Sequence, residues 1–194
     1  DIIPLFNGKI TISSVQLFGF NINLNKPAPH MEPNFKFVLD AFASKDTVKT
    51  KKDIDLRINS ILIRRGKLSY DVLSEEETPG KFNPQHIKLH NIIANISLKA
   101  LQNDSVNAAI KRLSVDEQSG FELRKLSLKV IANNKGMKIE NFAIEMPGTE
   151  MKMDTIRMEY DSLKALNHFA DNVRFSFRTL PSHVTLNDIS AFVP

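Results

Sequence analysis

The sequence predicts an all-β protein: a long antiparallel sheet, curled over one apolar face, with one or two short helices. The first observation behind this is a repeated pattern, apolar-x-apolar-x-x-apolar-x-apolar. It occurs in eight stretches: Ile10/Ile12/Val15/Leu17, Leu56/Ile58/Ile61/Ile63, Ile87/Leu89/Ile92/Ala94, Ala108/Ile110/Leu113/Val115, Phe121/Leu123/Leu126/Leu128, Met137/Ile139/Phe142/Ile144, Met151/Met153/Ile156/Met158 and Val184/Leu186/Ile189/Ala191. Alternation puts successive side chains on opposite faces of a strand. The two-residue skip exchanges the faces, so a bulge or bend is needed there to keep both pairs on one side. The second observation is the spacing of turns. Strands at about 106–115, 121–132, 137–146 and 151–160 are separated by Asp116–Gly120, Asn133–Gly136 and Pro147–Glu150, each short and glycine-containing. Connections that short permit only antiparallel neighbours, since a parallel crossover needs a dozen residues or more.

The elements follow in order. Residues 8–24 read as two strands, Lys9–Leu17 and Phe20–Leu24, broken at Gly19; Pro27, Pro29 and Pro33 then end regular pairing. Phe35–Phe42 is a short apolar stretch that fits helix or strand. Ser44–Asp53, polar and lysine-rich, reads as a linker. Ile54–Ile63, the turn Arg64-Arg65-Gly66-Lys67 and Leu68–Val72 read as a hairpin. Ser74–Asn83, with Glu75, Glu76, Glu77, Pro79 and Gly80, is an exposed loop. After the four-strand meander, Ser162–Ala170 reads as an amphipathic helix through Leu163, Leu166 and Phe169, and strands resume at Val173–Phe177 and Val184–Ile189. The expected organisation is a first β unit over 1–43 containing the apolar 35–42 segment, a linker over 44–53, and a repetitive β body over 54–194 that continues beyond this piece.

Composition narrows the function. A chain of 194 residues can bury a sizeable core. Twenty-six basic against 22 acidic side chains, interspersed, give a net charge of +4, too mild for a nucleic-acid binder. There are no cysteines, which excludes disulfides, Fe–S clusters and thiolate zinc sites. No apolar run reaches the ~20 residues of a membrane span. The chain opens on Asp1 and ends just after a copy of the repeat, and reads as a piece cut from a longer protein.

No P-loop, G-x-G-x-x-G, G-x-S-x-G or H-E-x-x-H motif is present, so the expectation is a non-enzyme without cofactor or metal. His86 and His90 are four apart. On a strand that is about 13 Å, whereas zinc holds each ligand nitrogen at ~2 Å. They cannot share an ion unless the segment is helical. Met137, Met146, Met151, Met153 and Met158 gather on the later strands. Methionine suits a surface that accepts varied apolar partners, and equally suits plain core filling.

The segment Ile54-Asp-Leu-Arg-Ile-Asn-Ser-Ile-Leu-Ile-Arg-Arg-Gly-Lys-Leu-Ser-Tyr-Asp71 resembles the strand followed by Gly-x-apolar-x-Tyr of TamB-like proteins in the AsmA superfamily. Leu113-Ser-Val-Asp-Glu-Gln-Ser-Gly-Phe121 followed by Leu126, and Glu145-Met-Pro-Gly-Thr-Glu150, look like further units of the same array. The resemblance implies a fragment of a long periplasmic β body, a half-open "taco" or solenoid-like groove with an apolar lining. The full-length protein would be anchored in the inner membrane. It would meet a BamA-like outer-membrane barrel through parts outside this fragment. Implied partners are phospholipid acyl chains or unfolded outer-membrane protein strands, not nucleic acid. The residues expected to line the groove are Leu126, Leu128, Ile139, Phe142, Ile144, Met146, Met151, Met153, Ile156 and Met158. The alternative is a closed β-sandwich or solenoid acting as spacer or protein-interaction scaffold, with the same residues as ordinary core.

Overall fold

The structure, a computed structural model, describes residues 9–37, 55–102, 105–162 and 169–192. It is all-β and forms one open ten-stranded sheet. The strands are β1 Lys9–Ile12, β2 Val15–Phe18, β3 Asn21–Lys26, β4 Asp55–Val72, β5 His86–Gln102, β6 Ser105–Glu117, β7 Glu122–Asn133, β8 Gly136–Glu145, β9 Glu150–Glu159 and β10 Arg174–Thr179. A short helix α1, Phe169–Asn172, precedes β10, and a 3-10 helix covers Leu186–Phe192. From β4 to β10 each strand pairs antiparallel with the next in sequence, as the short connections require.

β1, β2 and β3 all lie along the outer side of β4, in parallel. Their register is constant: Lys9 faces Asp55 and Lys26 faces Val72, 46 positions away at both ends. The first unit is therefore the edge of the same sheet, and the sheet is mixed. The link 27–54 is long enough for the crossover that parallel pairing demands. The edge segment consists of three pieces where two strands were expected, with breaks at Ser13–Ser14 and Gly19–Phe20. These breaks match places where β4 itself bulges against β5, between Ile58 and Ile61 and between Ile63 and Gly66.

Two further expectations are corrected. Arg64–Lys67 is not a hairpin turn, because β4 runs through it unbroken. Arg65 takes a left-handed backbone conformation (φ 54°) and absorbs the extra residue as a bulge. Val184–Ile189 is not a strand. Leu186–Phe192 winds as 3-10 helix, in which the three-residue spacing of Leu186 and Ile189 brings both side chains to one side. The linker 44–53, most of the 35–42 segment and most of the 162–170 helix lie outside the described residues, although α1 marks helical structure at the last of these.

The skips in the repeat do what their geometry demands. Asn91 (φ 53°) and Asn141 (φ 51°) sit in the skips of β5 and β8 in the left-handed region, which asparagine tolerates better than most residues. Register shifts fall at the skips of β6 and β7, between Ile110 and Leu113 and between Leu126 and Leu123. Each bulge turns the strand over once, so the apolar residues on both sides of it reach the same face.

Candidate functional site: an apolar sheet face

Residues directly opposite one another in a ladder share a face. Followed from strand to strand, the pairings draw continuous apolar rows across the sheet. One row runs Ile10, Leu56, Leu101, Val106, Ala132, Met137, Met158, Phe175. The next runs Ile12, Ile58, Leu98, Ala108, Val130, Ile139, Ile156, Phe177. Across the line of skips, a third runs Val15, Ile61, Ile96, Ile110, Leu128, after which Phe142 pairs with Met153. The fourth runs Leu17, Ile63, Ala94, Leu113, Leu126, Ile144, Met151. With strands about 4.8 Å apart, the longest rows extend ~34 Å across the sheet.

The opposite face is largely polar. There the ladders read Ala109, Lys129, Glu140, Thr155, Arg178, and Lys125, Glu145, Glu150. Ion pairs knit it together: Lys125 Nζ stands 2.7 Å from Glu145, Lys138 pairs with Glu140, and Lys152 with Glu150. Lys138 holds the Glu140 carboxyl, and Lys152 the Glu150 carboxyl, below the usual carboxylate range, by hydrogen bond first and charge second.

No second layer packs on the apolar rows among the described residues. All ten residues expected to line the groove are half-buried, neither enclosed nor fully exposed. Nine of them stand in or beside the four rows; Met146 lies just past β8, where its N–H bonds the Thr149 carbonyl in the β8–β9 turn. Among the described residues the buried apolar set is Val72, Ile92, Ala94, Ala109, Leu123, Ala132, Tyr160 and Val173, and its two row members are both alanines, Ala94 and Ala132. In a two-layer protein the large row residues would head that set.

Expectation fell short at the edges of the face. Phe175 and Phe177 end the first two rows on β10, stacked with centroids 5.9 Å apart and each 54 % exposed. Their alternation in Arg-Phe-Ser-Phe-Arg was the available signal. On β5 the first rows use Ala94, Ile96, Leu98 and Leu101, one unit further along than the repeat copy at Ile87–Ala94.

Polar clusters pin the rim where the β4–β5, β6–β7 and β8–β9 connections lie. Toward one end of it, Asp188 accepts the Gly148 N–H (2.9 Å), and Thr185 donates its hydroxyl to the Gly148 carbonyl (2.6 Å), tying the C-terminal segment to the β8–β9 turn. Further along it, His86 and His90 both lie on β5 with separate partners: His86 faces Asp71 (3.1 Å) and His90 faces Asp116 (3.8 Å). Glu117, 4 % exposed, accepts both the N–H (2.8 Å) and the hydroxyl of Ser119.

Among the described residues no helix is long and apolar enough to cross a membrane. Comparison with protein families, curated proteins and solved structures returns no match for this chain.

Proposed function

We propose that this chain is a non-catalytic segment of a TamB-like, envelope-spanning protein whose apolar sheet face carries phospholipid acyl chains across the periplasm, between inner and outer membranes. The observation that carries this reading is the set of four apolar rows on a single open sheet, with no second layer on them among the described residues. Exposing a tail of ~15 methylenes to water costs on the order of 12 kcal/mol, at ~0.8 each. A carrier crossing water must cover the tail continuously. Methylenes sliding over Ile, Leu and Met break no directional bonds, so tight cover and movement are compatible. The face is wide, polar behind and apolar in front, which suits tails lying on it with headgroups directed to water. An anchor in the inner membrane and an outer-membrane barrel partner belong to the same proposal and would be supplied by other parts of the full-length protein.

A second cargo is favoured by one observation. β10 is the last strand in the order of the sheet among the described residues, and all six of its residues are exposed. An extended client segment, such as an outer-membrane protein strand, could add there through backbone hydrogen bonds. A closed sandwich used as a spacer is disfavoured, because it would bury the rows.

The test is native mass spectrometry of the purified chain with lipid extraction from the same sample. Bound phospholipid that disappears in Ile144→Asp, with circular dichroism unchanged, supports the lipid reading. A clean apo mass after incubation with phospholipid vesicles overturns it.

A further inference from the structure

The strand pair β4–β5 ends in a cluster that the apolar face does not use. His86 is the first residue of β5, and its side chain is 6 % exposed. Its Nε2 lies 3.0 Å from the Glu75 carbonyl oxygen, and its Nδ1 lies 3.1 Å from Asp71 Oδ1. A carbonyl only accepts, so Nε2 carries the proton. In the neutral ring Nδ1 then presents a lone pair to an ionised carboxylate, which is itself acceptor-only. Two acceptors at that distance repel each other, and a positive centre between them, a second proton or a metal ion, relieves that repulsion.

The surroundings favour a metal ion. Glu77 brings a second carboxylate, and one ligand atom from each of Asp71, Glu77 and His86 lies within 4.8 Å of the others. Atoms bound to one tetrahedral zinc stand about 3.3 Å apart, from bond lengths near 2.0 Å. The His86–Asp71 pair already has that separation. Glu77 has to close the remaining distance, and it can, because its side chain is 56 % exposed on the loop between β4 and β5. The bond from Nε2–H to a backbone carbonyl is the outer contact that fixes the tautomer of metal-binding histidines and aims the other nitrogen at the ion. One imidazole and two carboxylates suit zinc and its neighbours rather than magnesium, which prefers an all-oxygen shell.

We propose that Asp71, Glu77 and His86 bind one zinc-class divalent cation, with a fourth position left to water, and that the ion fastens the 73–85 loop onto the β4–β5 pair. Lys88, whose Nζ lies 2.8 Å from Glu77 Oε1, occupies the carboxylate in the metal-free form and is released when the ion binds.

The probe is zinc chloride titrated into the chelator-treated full chain by calorimetry, with magnesium chloride as comparison. The expected result is one zinc per chain and no magnesium uptake. Glu77→Gln should weaken zinc binding about tenfold or more, in line with the sensitivity of such sites to their contacts. His86→Asn should abolish it. If His86→Asn fails to fold, Glu77→Gln still decides, because an exposed side chain is not needed for the fold. Absence of a one-to-one zinc isotherm, or an affinity unchanged by Glu77→Gln, overturns the proposal and leaves a proton between His86 and Asp71.

Discussion

Phe20 lays the edge of its ring against Gly66, across the boundary between the outer edge segment and β4, so closely that a methyl group on Gly66 would overlap Cζ and Cε1. Gly66 is buried and pairs with Ile92 on the next strand. The bare Cα thus makes a seat for an aromatic ring where the strand turns over. Gly66→Ala should cost about 1–3 kcal/mol, the usual penalty of overpacking, seen as a lower urea midpoint with an unchanged slope. The loss should shrink when Phe20→Ala is added, because coupling between touching residues is what such a double mutant reports.

Asn141 gives a second test of how the face is assembled. Its φ of 51° inverts β8 between Ile139 and Phe142 and so puts both on the apolar side. A β-branched residue is strained there. Asn141→Val should lower stability by roughly 1–2 kcal/mol, while Asn141→Gly should be neutral or mildly stabilising. Thermal unfolding of the two variants side by side distinguishes this from a side-chain effect. Equal losses for both would mean the asparagine matters for its contacts and not for its backbone.

These two positions also show what the sequence could and could not disclose. The spacing alone located the bulges of the meander, because the one face exchange inside each copy of the repeat calls for a bulge or bend to keep Leu126, Leu128, Ile139 and Ile144 together. Arg64–Lys67 misled because charge plus glycine is also the signature of a turn. Only pairing with β1–β3 and β5 on either side holds those residues extended. The parallel edge was concealed by distance along the chain, although Ile12-x-x-Val15-x-Leu17 and Ile58-x-x-Ile61-x-Ile63 repeat 46 positions apart and signal it in hindsight. Leu186 and Ile189 fit a strand with a skip as well as a 3-10 turn. Their setting decided between the two, through Asp188 and Thr185 bonding Gly148. The Asp71–Glu77–His86 cluster had no legible spacing, since β4, a loop and β5 contribute one residue each.

Tyr160 predicts a pH dependence. Its ring is buried at the end of β9, its hydroxyl donates to the Asn133 carbonyl at 2.8 Å, and burial raises its pKa above the ordinary tyrosine value. An acid whose folded-state pKa exceeds its unfolded value contributes stability that is fully present below the unfolded pKa. That contribution is lost as pH rises through the folded pKa. The wild-type chain should therefore lose stability on the alkaline side of pH 10 through this group. Tyr160→Phe should cost about 1 kcal/mol at neutral pH for the missing hydrogen bond and should flatten the alkaline limb relative to wild type. Urea midpoints measured from pH 7 to 11 check both, and parallel curves for the two proteins would remove Tyr160 from the account.

The two faces of the sheet offer the sharpest control on the proposed cargo. Ile156 stands in the second apolar row between Ile139 and Phe177. Ile131 lies on the polar face, opposite Asn107 and Lys138, and is 49 % exposed. Both are isoleucines within strands of the same sheet, so replacing either by Asp changes chain composition and net charge identically. Ile156→Asp places a carboxylate in the path of an acyl chain, where desolvating it is costly. Ile131→Asp places the same group in water beside a lysine. Lipid co-purification should fall to background for Ile156→Asp and stay at the wild-type level for Ile131→Asp, with both proteins folded by circular dichroism. Equal loss in the two variants would mean that the tails do not lie on this face. Unfolding of Ile156→Asp alone would mean that the row is core, covered by something the sheet acquires elsewhere.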